Sequence, residues 1–281
     1  YSTSENILDI QFLKNGDSVD QKVLVARMDS SSNIIINLFD LSVVLSSSNP
    51  TSIQKTAITQ KYTYLRTFTD TEGDYILLIL LDDSYYLNLN AIKGDAVGEI
   101  TNTTVGGLTS TLIINEIVNV IVFDKDNIFI VGNNTNTNTA KIIKLKLNLN
   151  TSTNTYVYTH EGSIDVANGQ TVNKILYAEK YEVGDNKAII VFYQEGLNAE
   201  NGYCISSFDL DFIKQNNKIF EYNSIRVTTL NNIIFNFKVK RDMILILWQD
   251  ANENRLFQSY KIQLSDSTEQ ILKVKTSIVF P

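Results

Sequence analysis

ILILWQD, residues 244–250, is an apolar run ending on an amide and an acid, and four similar runs precede it. They are VLVARMD from Val23, ILLILLD from Ile76, IFIVGN from Ile128 and IIVFYQE from Ile189. Successive runs start 53, 52, 61 and 55 residues apart, so one unit is used five times from end to end of the chain. A period of that length belongs to arrays in which each repeat buries its apolar faces on its neighbours.

Each unit reads as four strands. First strands are expected at residues 7–13, 62–68, 117–123, 174–181 and 233–239, each followed by a turn bearing an acid: Asp17, Asp74, Asp126, Asp185 and Asp242. Asn, Asp and Gly close such hairpins because they reach positive φ or bond their own backbone. The apolar runs are the second strands, unbroken as in strands covered on both faces. Third strands alternate, at 34–41, 85–92, 141–149, 203–212 and 256–264, with Lys144 and Lys146 assigned to a wet face. Weaker fourth strands are expected at 52–59, 96–101, 155–159, 218–222 and 270–276. A gradient from apolar inner to polar outer strand is the blade pattern, so the expected fold is an all-β propeller of five four-stranded blades. Residues 1–281 form one domain with units at about 1–59, 60–107, 108–168, 169–228 and 229–281. The Ser, Thr and Asn tracts at 46–52, 132–139 and 148–155 read as exposed connections.

Composition narrows the function classes. In 281 residues, 43% hydrophobic, no run reaches the length of a membrane span. The 24 basic and 31 acidic residues leave a net charge of −7 and a field that repels phosphate backbones and anionic lipid, so neither nucleic acid nor membrane insertion is expected. Lys238, Lys240 and Arg241 read as a solvated hairpin end. Cys204, the single cysteine, reads as a buried thiol, and His160, the single histidine, as a surface residue. With one of each, neither a zinc site nor a Ser-His-Asp triad has the residues it needs, and no cofactor is expected. The recurrent turn acids suggest calcium less than turn formation, because no loop combines alternating acids with a distant closing carboxylate.

Three further sets are candidates. Asp29, Asp82, Asp83, Asn134, Glu195 and Asp250 lie at the far ends of the second strands, where propeller loops meet partners, together with Asn133, Gln194 and Gln249. Asp9, Glu116 and Glu179 stand on three first strands and are the material for a five-bladed glycoside hydrolase, which needs two acids about 5 to 10 Å apart. Asn102, Asn133 and Asn150 each open an N-glycosylation triplet in a segment read as exposed.

Trp248-Gln249 within ILILWQD, followed by Gln258-Ser259-Tyr260, resembles repeats of secreted or surface β-propellers of single-celled eukaryotes. An apolar strand ending in Trp-Gln and an acid or amide recurs there. The fourth unit has Tyr193-Gln194, and the first three units depart from the pattern. The resemblance implies an extracellular or cell-surface, non-catalytic role and brings no site residue with it. Trp248 itself reads as core. The expectation is therefore a non-enzymatic structural or adhesive module with a protein partner, its own copies or glycans as ligands; a lectin or glycoside hydrolase with a central pocket is the alternative. A start at Tyr1 fits either a cleaved product or a piece of a longer chain. Residues 1–6 and 277–281 read as extended ends that pair with a neighbouring copy, giving head-to-tail assembly.

Overall fold

The computed structural model describes residues 6–14, 21–28, 30, 33–40, 51–57, 60–70, 73–82, 87–93, 101–104, 114–150, 155–166, 172–195, 203–210, 225–228, 233–241, 243–249, 255–261 and 273–280. Among them are twenty strands in five four-stranded sheets, each made of four strands consecutive in the chain. The first sheet holds β1 (Asn6–Lys14), β2 (Gln21–Met28), β3 (Asn33–Asp40) and β4 (Thr51–Ala57). The second holds β5 (Gln60–Asp70), β6 (Gly73–Asp82), β7 (Leu87–Lys93) and β8 (Thr101–Thr104). The third holds β9 (Glu116–Asp124), β10 (Asn127–Asn134), β11 (Thr139–Asn150) and β12 (Thr155–Asp165). The fourth holds β13 (Val172–Val183), β14 (Asn186–Glu195), β15 (Tyr203–Asp209) and β16 (Ile225–Thr228). The fifth holds β17 (Ile233–Lys240), β18 (Met243–Gln249), β19 (Arg255–Lys261) and β20 (Lys273–Phe280). The fold is all-β, and the expected unit of four strands repeated five times is present.

First, second and third strands fall where periodicity placed them, as do β4 and β12 among the fourth strands; the other fourth strands depart. β8 covers Thr101–Thr104, meeting the expected 96–101 only at its end, and β16 covers Ile225–Thr228, while residues 96–100 and the expected strand at 218–222 lie outside the described residues. Outer strands hold few apolar residues, so pattern locates them poorly. β20 extends to Phe280, with Ser277 opposite Gln258 and Phe280 opposite Arg255. Residues 277–280 are therefore bonded within the fifth sheet, which corrects their reading as a spare end for a neighbouring copy. Their amides and carbonyls already have a ladder to join.

Turn chemistry explains the hairpins. Asp124 Oδ1 accepts from the Asp126 amide at 3.0 Å and from Asn127 Nδ2 at 2.8 Å, so an acid shapes the β9–β10 turn, but it is Asp124 and not the recurrent Asp126, whose carboxylate meets Lys146 at 2.6 Å. Gly184 (φ 59°) and Arg241 (φ 53°) take the left-handed conformation that the following two hairpins need; glycine does so without steric cost, arginine with some. A β-bulge recurs on the first strands, between Ile7 and Asp9 in β1, Gln60 and Tyr62 in β5, Ile175 and Tyr177 in β13, and Ile234 and Asn236 in β17. It supplies a common reference for aligning the units.

The chain divides into two compact units. One comprises Tyr1–Ile113, Val122–Ile128 and Leu145–His160; the other comprises Ile114–Ile121, Phe129–Lys144 and Glu161–Pro281. In the second unit the fourth and fifth sheets share a core of Tyr181, Ala188, Ile190, Phe192, Ile205, Phe237, Val239, Ile244, Ile246 and Tyr260, with Leu176, Tyr177 and Trp248 packed against it. The expected burial of Cys204, exposure of His160 and core placement of Trp248 agree with the structure. Lys144 does not: it is 2% exposed, with Nζ 5.6 Å from the Phe129 ring centroid and 3.5 Å from the Leu210 carbonyl oxygen. Both faces of β11 are covered there, and the ring and carbonyl stand in for water around the ammonium.

Candidate functional site

The polar residues singled out by the sequence converge on the seams where one sheet's first strand meets the next. Asp9 on β1 pairs with Arg66 on β5 at 2.9 Å. Glu116 on β9 pairs with Lys174 on β13, and Glu179 on β13 with Lys238 on β17, each at 2.9 Å. These are the three acids put forward as hydrolase carboxylates, and each is held by a cation one repeat further along. A reading of the acids alone leaves out their cationic partners. The signal was available, since the partners lie 57 and 59 residues apart in two of these pairs, close to one repeat period.

The seam between the third and fourth sheets is the most elaborated. Asn133, near the end of β10, is 1% exposed. Its Oδ1 accepts from the Ile175 amide at 2.7 Å, and its Nδ2 donates to the Ile175 carbonyl at 3.1 Å and to Glu116 Oε2 at 3.1 Å. The side-chain amide thus pairs with the Ile175 backbone on β13 much as another strand would. Nearby, Asn119 Nδ2 donates to the Ala178 carbonyl at 2.6 Å. Gly132 makes room for the close approach of β9, because a Cβ there would collide with the Ile114 side chain and lie 2.6 Å from the Glu116 carbonyl oxygen.

The segment 132–139 is therefore an ordered strand end and turn, not a loose connection. Asn134, 6% exposed, accepts through Oδ1 from the amides of Asn136 (3.0 Å) and Thr137 (3.2 Å). Asn115 holds Thr135 from both sides, Nδ2 to Oγ1 at 2.8 Å and Oδ1 from the amide at 3.0 Å. Asn138 (φ 52°) completes the turn. Among the other residues expected on a binding face, Asp82 and Glu195 end β6 and β14, and Asp29, Asp83 and Asp250 lie outside the described residues.

The glycosylation triplets separate on the same grounds. All three asparagines were placed in exposed connections, yet Asn102 lies in β8, Asn150 is the last residue of β11 and Asn133 is buried in β10. A glycan on Asn133 would replace one Nδ2 hydrogen when both already have acceptors, and would need space that the seam lacks.

The seam between the fourth and fifth sheets is aromatic instead. Phe192 and Phe237 stack with ring centroids 5.3 Å apart, and Tyr177 stacks on both, at 6.5 and 5.9 Å. Tyr260, in the same core, has its ionisation pushed above the ordinary tyrosine range by burial. Burial does the same to Tyr158 of β12, whose hydroxyl has no hydrogen-bond partner. Among the described residues no group of three His, Cys, Asp or Glu gathers into a cluster fit for a metal ion.

No protein-family model matches the chain, and no curated protein matches it. Among solved structures it is similar to the N-terminal domain of Nup159, at 13% identity, with 90% of this chain and 75% of that chain covered and a TM-score of 0.30, a likeness too low to inform function.

Proposed function

We propose that this chain is a five-bladed β-propeller serving as a non-enzymatic structural or adhesive module outside the cell or at its surface. One observation supports it most: the acids of the first strands, which a central hydrolytic site would use, are engaged by Arg66, Lys174 and Lys238 of the following sheets. A hydrolase needs one carboxyl held protonated and another free to attack or to activate water; a carboxylate paired with a cation is suited to holding neighbours in register. Sheets of four consecutive strands, with first strands joined between the first and second, the third and fourth, and the fourth and fifth, support the propeller arrangement. The extracellular placement draws on the sequons at Asn102 and Asn150 and on the Trp248-Gln249 resemblance.

Peptide mapping by mass spectrometry of the protein from its native source tests this reading. Glycan is expected on Asn102, Asn150 or both, with Asn133 unmodified. Bare asparagines at all three positions would overturn the extracellular assignment. Hydrolysis of aryl glycosides that vanishes in Glu116→Gln or Glu179→Gln would overturn the non-enzymatic one.

A further inference from the structure

The fifth sheet gathers cations that the sequence keeps apart. In its register Lys240 stands opposite Met243, Met243 opposite Lys261 and Lys261 opposite Lys273. The next row on the same face runs Lys238, Leu245, Ser259, Lys275. Directly opposed residues share a face, as do residues two apart on one strand. Lys238, Lys240, Lys261, Lys273 and Lys275 therefore lie on one face of one sheet, beside the β17–β18 turn that carries Arg241. It is the face turned away from the fourth sheet, because Val239, Ile244, Ile246 and Tyr260, which alternate with these residues, are buried against that sheet. Lys238 is 62% exposed, and Lys240 and Arg241 are exposed. The hairpin read from the sequence as a solvated end is one border of a larger basic field.

Neither row contains an acid or an aromatic residue. Glu179 reaches Lys238 from the fourth sheet, and Asp242, Asp266 and Glu269 of the adjoining connections lie outside the described residues. Like charges directly opposite each other weaken a ladder, and Lys261 and Lys273 are such a pair. Lysines on an edge strand keep it from pairing with another chain, which accounts for Lys273 and Lys275 on β20. It does not account for Lys261, whose strand is paired on both sides. An anion lying along this face would turn the repulsion into attraction.

We infer that this face binds a densely sulfated polysaccharide. Neighbouring strands set cations about 5 Å apart and alternate residues about 7 Å apart, so the field suits a chain with a charge every few ångströms. A glycan with one carboxylate per disaccharide would leave most of these cations unmet. Single-stranded nucleic acid would find no aromatic side chain in these rows on which its bases could stack. A duplex or a membrane presents a broad anionic surface to the whole molecule, whose net charge is −7, whereas a slender chain meets the patch within a Debye length of about 8 Å. Lysine stems carry the ammoniums out at the turn end of the sheet, whatever stands against the apolar rows further along. Preferring a glycan to another slender polyanion rests on the extracellular reading above; the basic face itself rests on the register of one sheet.

Calorimetric titration of the full-length protein with a heparin dodecasaccharide, at about 0.05 and 0.15 M salt, should show binding that weakens as salt rises. Lys261→Gln combined with Lys273→Gln should weaken it about 5- to 30-fold, as for the loss of two ion contacts. Lys240→Gln should act in the same direction. Lys141→Gln combined with Lys146→Gln on β11, an equal change in net charge, should leave binding unchanged. The Lys261/Lys273 variant should unfold at the parent's temperature or higher, since a like-charge pair is relieved, so weaker binding is not loss of fold. No heparin binding at the lower salt, or equal weakening by the two double variants, would overturn the inference. Aggregation of the Lys261/Lys273 variant with binding unchanged would do so too, by reducing these lysines to edge protection. Tighter binding of hyaluronan, polyglutamate, oligothymidylate or phosphatidylserine vesicles would overturn it by naming another partner. The glycan map is read separately: bare asparagines would remove the extracellular reading and not the binding, and failed binding would remove this site and not that reading.

Discussion

Between the third and fourth sheets, Glu116 and Lys174 stand beside a buried asparagine; between the fourth and fifth, Glu179 and Lys238 stand beside three stacked rings. The ion pair has the same form and length at both seams, while the material next to it differs in kind. Lys174 and Lys238 are 46% and 62% exposed, and pairs so open to water contribute at most about 1 kcal/mol. The charges therefore set which strand meets which, and the buried partners supply the cohesion. A polar seam and an aromatic seam solve the same problem, one through direction and the other through area.

The aromatic seam should be the more costly to break. Phe237→Ala removes a fully buried ring and two stacking contacts, so a loss of about 3–5 kcal/mol is expected in urea or thermal unfolding. A loss under about 1 kcal/mol would mean that the seam collapses onto the gap and that the rings are not what joins these sheets.

The polar seam is sharpened by Asn133→Leu, which keeps volume and deletes all three side-chain hydrogen bonds. It strands the Ile175 amide and carbonyl, and a loss of about 2–4 kcal/mol is expected. The readout peculiar to this seam is hydrogen exchange. The Ile175 amide should lose protection far more than the Tyr181 amide on the same strand; equal loss at both would mean that the asparagine does not bond β13 specifically.

The smallest effect is a pH dependence that begins at the aromatic seam. Burial raises the Tyr260 pKa, so in the folded state its proton is held above the value of about 10 at which an unfolded chain releases it. The unfolded state then binds fewer protons than the folded one above pH 10, and stability falls as pH rises; below pH 10 both states keep the proton and nothing changes. Tyr158 adds to this with the same sign. Tyr260→Phe should flatten the alkaline limb of a stability-versus-pH curve, and an unchanged slope would show that the buried hydroxyl is not its source.

The strands themselves were legible because β-strand patterning is local. Apolar runs and Asp-bearing turns located the first, second and third strands of all five units to within a few residues, although the β9–β10 turn is shaped by Asp124 and not by the recurrent Asp126. The seam was only half legible. Acids on first strands were noticed, but as a group facing a common centre, because sequence separation alone does not tell a carboxylate aimed at a cavity from one aimed at the next repeat. The Asn-Thr tract misled for a related reason: such residues are common in loops, and only the neighbouring backbone of Ile175 makes Asn133 a core residue.

By itself, the order of residues determined the period, the hairpins and the gradient from apolar to polar strand, since each depends on neighbours a few positions away. Tertiary structure alone decided that Asn133 is buried and Asn134 caps a turn, that Lys144 lies against Phe129, and that Ile10 and Phe12 are open where Phe237 and Val239 are covered. Those outcomes depend on what a different sheet places opposite each side chain. Local pattern holds no record of that, because the same alternation serves a face that meets a neighbouring sheet and one that meets water.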